Sequence, residues 1–149
     1  MDSSDRRVDV FSPDPNSTKP GETFPLIAFM HGFFGGGVFT TIYFPLVEAI
    51  ASFGYVVVVP RACDVECFDD KASLPGDPLT FAHYYEQQLR VIDWAMEQAR
   101  AEFEVFTRVN VSAGVGIAGH SMGGQATLFS AGLAKTSAYH IKAAVRPLL

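Results

Sequence analysis

The 149-residue chain holds two cysteines, one tryptophan and 11 basic residues against 16 acidic ones. Each scarcity excludes something. Two cysteines cannot build a disulfide scaffold, and none is needed, because a domain of about 150 residues buries roughly 70% of the surface its unfolded chain exposes. The formal net charge is -5, and the Lys and Arg residues are scattered from Arg6 to Arg146. That leaves no basic patch to capture nucleic acid or an anionic membrane. No apolar run approaches the roughly 18 residues of a membrane span. The longest, Leu26 to Met30 and Tyr55 to Val59, have the length of buried strands. The opening MDSSDRRVDVF lacks the apolar stretch of a secretory signal and is too acidic for a transit peptide, so the expected location is cytoplasmic. The glycosylation-type triplets Asn16-Ser17-Thr18 and Asn110-Val111-Ser112 then read as chance matches. Cys63 and Cys67 read as two free thiols in preference to a local disulfide or half a metal site, since no second pair at zinc spacing accompanies them.

With 48% hydrophobic and 18% charged residues, the composition is that of a folded domain with a sizeable core. Residues 1–20 read as a strand-and-turn segment: Arg7 to Phe11 alternates, and SPDPNSTKPG is dense in turn formers. From residue 21 onward the pattern changes. Leu26 to Met30 is continuously apolar, as a strand covered on both faces would be, and Gly35, Gly36 and Gly37 form the loop after it. A short helix is expected from Pro45 to Phe53, with Gly54 free to take the left-handed cap position. Tyr55 to Val59 is the next strand, closed by Pro60. Arg61 stands just past it and the stretch to Pro75 reads as a surface loop. Asp77-Pro78 resembles a helix cap, and Phe81, Tyr85, Leu89, Ile92, Met96, Ala99 and Phe103 then fall at helical spacing, a core-facing stripe with Trp94 on its shoulder. Gly116 to Gly119 reads as a strand. The helix after it places Ala126, Phe129 and Leu133 on one side, and Ile141 to Val145 is a last short strand. Alternation of strand and helix implies an α/β fold, a mostly parallel sheet with helices on both faces.

Two stretches carry chemistry. Gly119-His120-Ser121-Met122-Gly123 is a G-x-S-x-G sequence between an apolar strand and a helix, where a serine sits on a tight turn at the carboxyl end of the sheet. Gly119, Gly123 and Gly124 let strand and helix approach closely. The helix also aims its first N–H groups at the place where a tetrahedral oxyanion would form. His31-Gly32-Phe33-Phe34-Gly35-Gly36-Gly37 follows another strand at the same end. It can supply the second of the two donors an acyl-transfer site needs, so the donors are assigned to the N–H groups of Met122 and Phe33, with Phe34 as the fallback. Phe33, Phe34, Phe39, Tyr43 and Phe44 suggest a phenyl-rich entrance for an apolar acyl or alcohol group.

The pair HGFFGGG and GHSMGGQA, about ninety residues apart in sequence, resembles the α/β-hydrolase superfamily, and within it the chlorophyllase-like and cutinase-like or polyester-hydrolase-like esterases. Chlorophyllases usually carry Arg after the serine; Met122 is closer to the polyester-hydrolase pattern. The resemblance covers Val8 to Val145. It implies hydrolysis of a small-molecule carboxylic ester by a Ser-His-acid triad, with no metal or organic cofactor, and gives His31 a loop-shaping role beside Gly32. Residues 21–149 would then form the N-terminal portion of an α/β-hydrolase domain.

A serine hydroxyl needs a histidine base oriented by a carboxylate, and in this superfamily both follow the serine. Beyond Ser121 the chain has no Asp or Glu, and the later His140 precedes its strand, at the opposite end of the sheet. His120 is expected to point away from the face that Ser121 uses, and His83 lies in the first turns of a helix. The triad reads as incomplete and the chain as truncated, with Ile141 to Leu149 an exposed apolar edge. The alternative is a non-catalytic module that binds an apolar ligand or a partner through the same cleft. Gly114 to Gly119 also fits G-x-G-x-x-G, but those glycines lie before and inside a strand instead of in the turn that opens a helix, and no acid follows about twenty positions on, which excludes a dinucleotide site.

Overall fold

The computed structural model describes residues 7–32, 37–61, 78–132 and 139–145, with residues 37–39 and 78–84 described in backbone only. Five strands form one sheet: β1 (Val8–Phe11), β2 (Leu26–Met30), β3 (Val56–Pro60), β4 (Val115–Gly119) and β5 (Ile141–Val145), in the spatial order β1-β3-β2-β4-β5. β2, β3, β4 and β5 run parallel, joined through α1 (Phe44–Ser52), α2 (Pro78–Arg100) and α3 (Met122–Gly132). β1 is antiparallel to β3 and closes that edge, with Val8 opposite Pro60 and Phe11 opposite Val57. Arg61 grips Asp9 of β1 through two hydrogen bonds of 2.9 and 3.0 Å, which ties the end of β3 to the edge strand. The leading segment therefore belongs to the same sheet as the rest.

Both faces of the sheet are covered, as continuous apolar strands require. On one face Leu26, Ala28, Val56, Val58, Val115 and Ile117 pack with Leu89, Val91, Ile92 and Ala95 of α2. On the other, Phe29, Val57 and Val59 pack with Tyr43, Val47 and Ala51 at and along α1. α1 ends where expected, with Gly54 at φ +93°. No helix among the described residues is long and apolar enough to cross a membrane. The expected surface loop and both cysteines fall at residues 62–77, outside the described residues.

Two core expectations are corrected. Phe103 does not extend the α2 stripe: the helix ends at Arg100, Glu102 takes φ +53°, and Phe103 is half exposed. Phe106, in the 3-10 turn Glu104–Arg108, fills the place instead and meets the Trp94 ring edge-on at 5.1 Å. Phe129 likewise faces solvent, beside an equally exposed Leu128. The inward face of α3 is Gly123, Gly124, Ala126, Thr127 and Ser130. Close approach to the sheet fixes the rotation of this helix, so the small residues go in and the large ones stay out. Leu133 lies outside the described residues.

Candidate active site

Ser121 is the second of the two residues, after His120, that join β4 to α3. It is exposed, and its backbone lies at φ +53°, a left-handed conformation that costs a residue with a Cβ about 1–2 kcal/mol. The surroundings hold it there. The His120 N–H donates to the Met30 carbonyl at 3.1 Å, the Gly123 N–H to the His120 carbonyl at 2.9 Å and the Gln125 N–H to the Ser121 carbonyl at 3.1 Å. The glycines around it have no room for a side chain. A Cβ at Gly119 would lie 2.3 Å from the Gly123 carbonyl oxygen, and one at Gly123 would lie 2.2 Å from that of Met30. Met122 is the first residue of α3 and is nearly buried. At that position its N–H has no acceptor one turn back within the helix and is available to a ligand at the helix N-terminus.

The end of β2 comes to the same place. An ideal Cβ on Gly32 would lie 3.2 Å from Ser121 Cβ, 3.1 Å from His120 Nδ1 and 3.0 Å from the Tyr43 hydroxyl. Ser121, Met122, Gly32, Gly119, His120, Gly123 and Gly124 are thus brought together at the carboxyl end of the parallel strands. Phe33 and Phe34 lie outside the described residues. Gly116 and Gly119 lie inside β4 and Gly114 in the turn before it, at φ +83°, so the glycine fingerprint opens no helix.

The histidines are distributed unevenly. His140, exposed and at φ +50°, precedes β5 and sits at the amino end of the sheet, away from Ser121. His83 lies on α2, its side chain outside the described set. His120 turns toward α1, where Nδ1 is 2.9 Å from the Tyr43 hydroxyl. His31 is fully buried, with Nδ1 2.7 Å from the Gly32 carbonyl oxygen. A carbonyl can only accept, so Nδ1 carries the proton. Burial pulls His31 down from 6.5 to about 4, against a smaller upward push from that hydrogen bond. The ring is neutral at physiological pH and acts as a structural donor.

A pH signature follows from His31. Between pH 6.5 and about 4 the unfolded chain holds a proton on this ring that the folded one refuses, so stability falls as pH drops through that window and levels off below it. The full difference is about 3 kcal/mol at 1.36 kcal/mol per pH unit. Urea midpoints at pH 7.5 and 4.5 should fall further for the wild type than for His31→Gln. Equal losses would show that His31 does not titrate in this way.

Two contributors escape sequence reading. Gln88, fully buried on α2, donates through Nε2 to the Ala28 carbonyl of β2 at 3.1 Å, the Ala118 carbonyl of β4 at 3.2 Å and Thr127 Oγ1 of α3 at 3.1 Å. Thr127 in turn donates to the Gly123 carbonyl at 2.9 Å. This chain of bonds reaches the serine turn from below. The amide orientation is fixed by its partners, because the flipped form would aim an oxygen at two carbonyls. The second is Tyr43. Together with Phe44 it reads from sequence as part of an apolar entrance, but Tyr43 is buried against Phe29 and Phe44 packs edge-on against Phe11 at 5.0 Å. Tyr43, the last residue of the 3-10 helix Gly37–Tyr43, belongs to the α1 side of the core, and Phe44 opens α1 directly after it. A buried Tyr must place its hydroxyl, and that requirement is the signal that could have found it.

A mostly parallel sheet with helices on both faces and a serine at a sharp strand-to-helix turn defines an α/β-hydrolase fold. Similar solved structures have it. Thermogutta terrifontis esterase 2 phosphorylated by paraoxon superposes with a TM-score of 0.65 at 17% identity, over 98% of this chain and 53% of that one. Brefeldin A esterase, a bacterial homologue of human hormone sensitive lipase, gives a TM-score of 0.58 at 20% identity, over 89% of this chain and 32% of that one. In sequence, the chlorophyllase family model matches residues 5–145, and Chlorophyllase-1 of Arabidopsis thaliana is 32% identical over 111 residues, 74% of this chain and 29% of the relative. The chain belongs to the chlorophyllase family. It spans less than a third of the Arabidopsis relative and about half of esterase 2.

Proposed function

We propose that the chain carries the nucleophilic half of a serine carboxylic-ester hydrolase. Ser121 Oγ bonds to the acyl carbon, the alcohol leaves with a proton, and water then releases the acid. The N–H groups of Met122 and Phe33, with Phe34 as the fallback, stabilise the oxyanion; losing one such donor typically costs about 2.7–4 kcal/mol of transition-state stabilisation. The observation that carries this reading is the exposed Ser121 held at φ +53° between β4 and α3. Membership of the chlorophyllase family and the likeness to esterases support it. The aromatic pair Phe33-Phe34 in the sequence that follows β2 supports an apolar acyl or alcohol group. Sustained turnover needs a histidine base and a carboxylate, and residues 122–149 contain no carboxylate. The alternative reading is a non-catalytic module that binds an apolar ligand or a partner.

Organophosphate capture separates the two. Esterase 2 of Thermogutta terrifontis is phosphorylated by paraoxon, so paraoxon is the probe. Intact-mass and peptide analysis should show a single diethylphosphoryl adduct on Ser121. An unmodified chain, or an adduct elsewhere, favours the binding module.

A further inference from the structure

We propose that Tyr43 is a positioning residue for Ser121, a buried phenol that locks the end of β2 to the serine turn. The proposal rests on the reading of Ser121 as nucleophile. The Tyr43 oxygen accepts the Gly32 N–H at 2.9 Å and lies 2.9 Å from Nδ1 of His120, a residue 77 positions further along the chain than Tyr43. With its oxygen already accepting from Gly32, the phenol has its own proton to give. Nδ1 accepts that proton in the tautomer of His120 that carries its own proton on Nε2. One hydroxyl therefore fixes Gly32, the ring orientation of His120 and, through the adjoining backbone, Ser121.

Gly32 is held from both sides. Its N–H is on Tyr43 and its carbonyl on His31 Nδ1, and a carbonyl held in this way fixes the plane of the peptide unit it belongs to. Because its N–H is engaged by Tyr43, Gly32 is not itself a free oxyanion donor. Its role is to set the direction in which the chain leaves β2. The phenol is rigid enough for this task, being 8% exposed with its ring centroid 5.5 Å from that of Phe29 and 5.7 Å from that of His120. Tyr43 does not touch the reacting atoms. It determines whether the backbone around Gly32 stays within reach of the serine, and a misplacement of 1 Å can cost on the order of 100-fold in rate.

Tyr43→Phe keeps the ring and removes the oxygen. The limiting rate of Ser121 phosphorylation by paraoxon should fall at least tenfold with little change in the half-saturating concentration, while the melting temperature stays within a few degrees. The Gly32 amide should exchange with solvent at least tenfold faster, and the His120 ring nitrogen shifts should move. Combined with His120→Leu, the rate should drop no further than in the more affected single variant, because both remove the same link. Unchanged capture in Tyr43→Phe overturns the proposal while leaving Ser121 as nucleophile. Fast exchange of Gly32 in the wild type also overturns it, and needs no variant to fold. A wild type that paraoxon never modifies overturns the nucleophile reading and with it this role of Tyr43, whereas the exchange data still report whether the bridge itself exists.

Discussion

Ser121→Ala is expected to lose all covalent capture by paraoxon and to bring the hydrolysis of a short activated ester down to the rate of buffer alone. The hydroxyl is the only atom removed, and it is the atom proposed to form the bond to phosphorus or to the acyl carbon. Folding should be spared. The side chain is exposed, and Ala carries the same Cβ into φ +53°, so the backbone penalty is unchanged. Melting within about 2 °C of the wild type is the expected control for a surface substitution. Ser121→Gly should be equally silent toward paraoxon yet more stable by about 1 kcal/mol, because glycine enters the left-handed region without the Cβ penalty. The two variants together separate chemistry from strain. Hydrolysis that persists in both would place the activity elsewhere on the protein.

Gly123→Ala is expected to cost about 4 kcal/mol or more and to lower the melting temperature by about 10 °C or more, much of what holds a domain of this size together. The new methyl carbon would stand 2.2 Å from the Met30 carbonyl oxygen and 2.5 Å from that of His31. Both obstacles are backbone, so no rotamer change relieves them, and α3 would have to lift away from the end of β2. Lifting it would also strain the Thr127 to Gly123 bond and the Gln88 contact behind it. Gly132→Ala at the far end of α3 is the matched control, since a Cβ there has nothing within 4 Å. It should be neutral or slightly stabilising, as Ala is the better helix former. If the two alanine variants melt alike, the close contact between α3 and β2 is not present in solution.

The alternation of strands and helices was legible because each parallel strand is a short apolar run and each helix a longer periodic one. β2, β3, β4 and β5 lie within a residue of where the runs placed them, apart from an extra Val115 in β4. The serine turn was legible because glycine spacing reports backbone approach, and approach is a property of the motif itself. What escaped depends on rotation and depth. The composition of α3 cannot show that Phe129 faces out, since the helix is oriented by the small residues that touch the sheet. The stripe on α2 favoured Leu89 over its neighbour Gln88, although Gln88 is four residues before Ile92 and three after Tyr85. A polar residue on a core-facing stripe is the sign that could have marked it. Tyr43 read as an aromatic at the surface because its hydroxyl partners lie in the turns just past β2 and β4, and His120 is 77 residues away in sequence.

Gln88 has a consequence for the whole layer. Greasy surfaces slide: a long amphipathic rod laid across a smooth sheet has alternative seatings a turn apart with similar apolar area. An amide that must find two carbonyls and a hydroxyl at once admits a single seating. In this protein one side chain thus indexes the longest helix against the sheet, and the corner that carries Ser121 inherits its alignment from that choice.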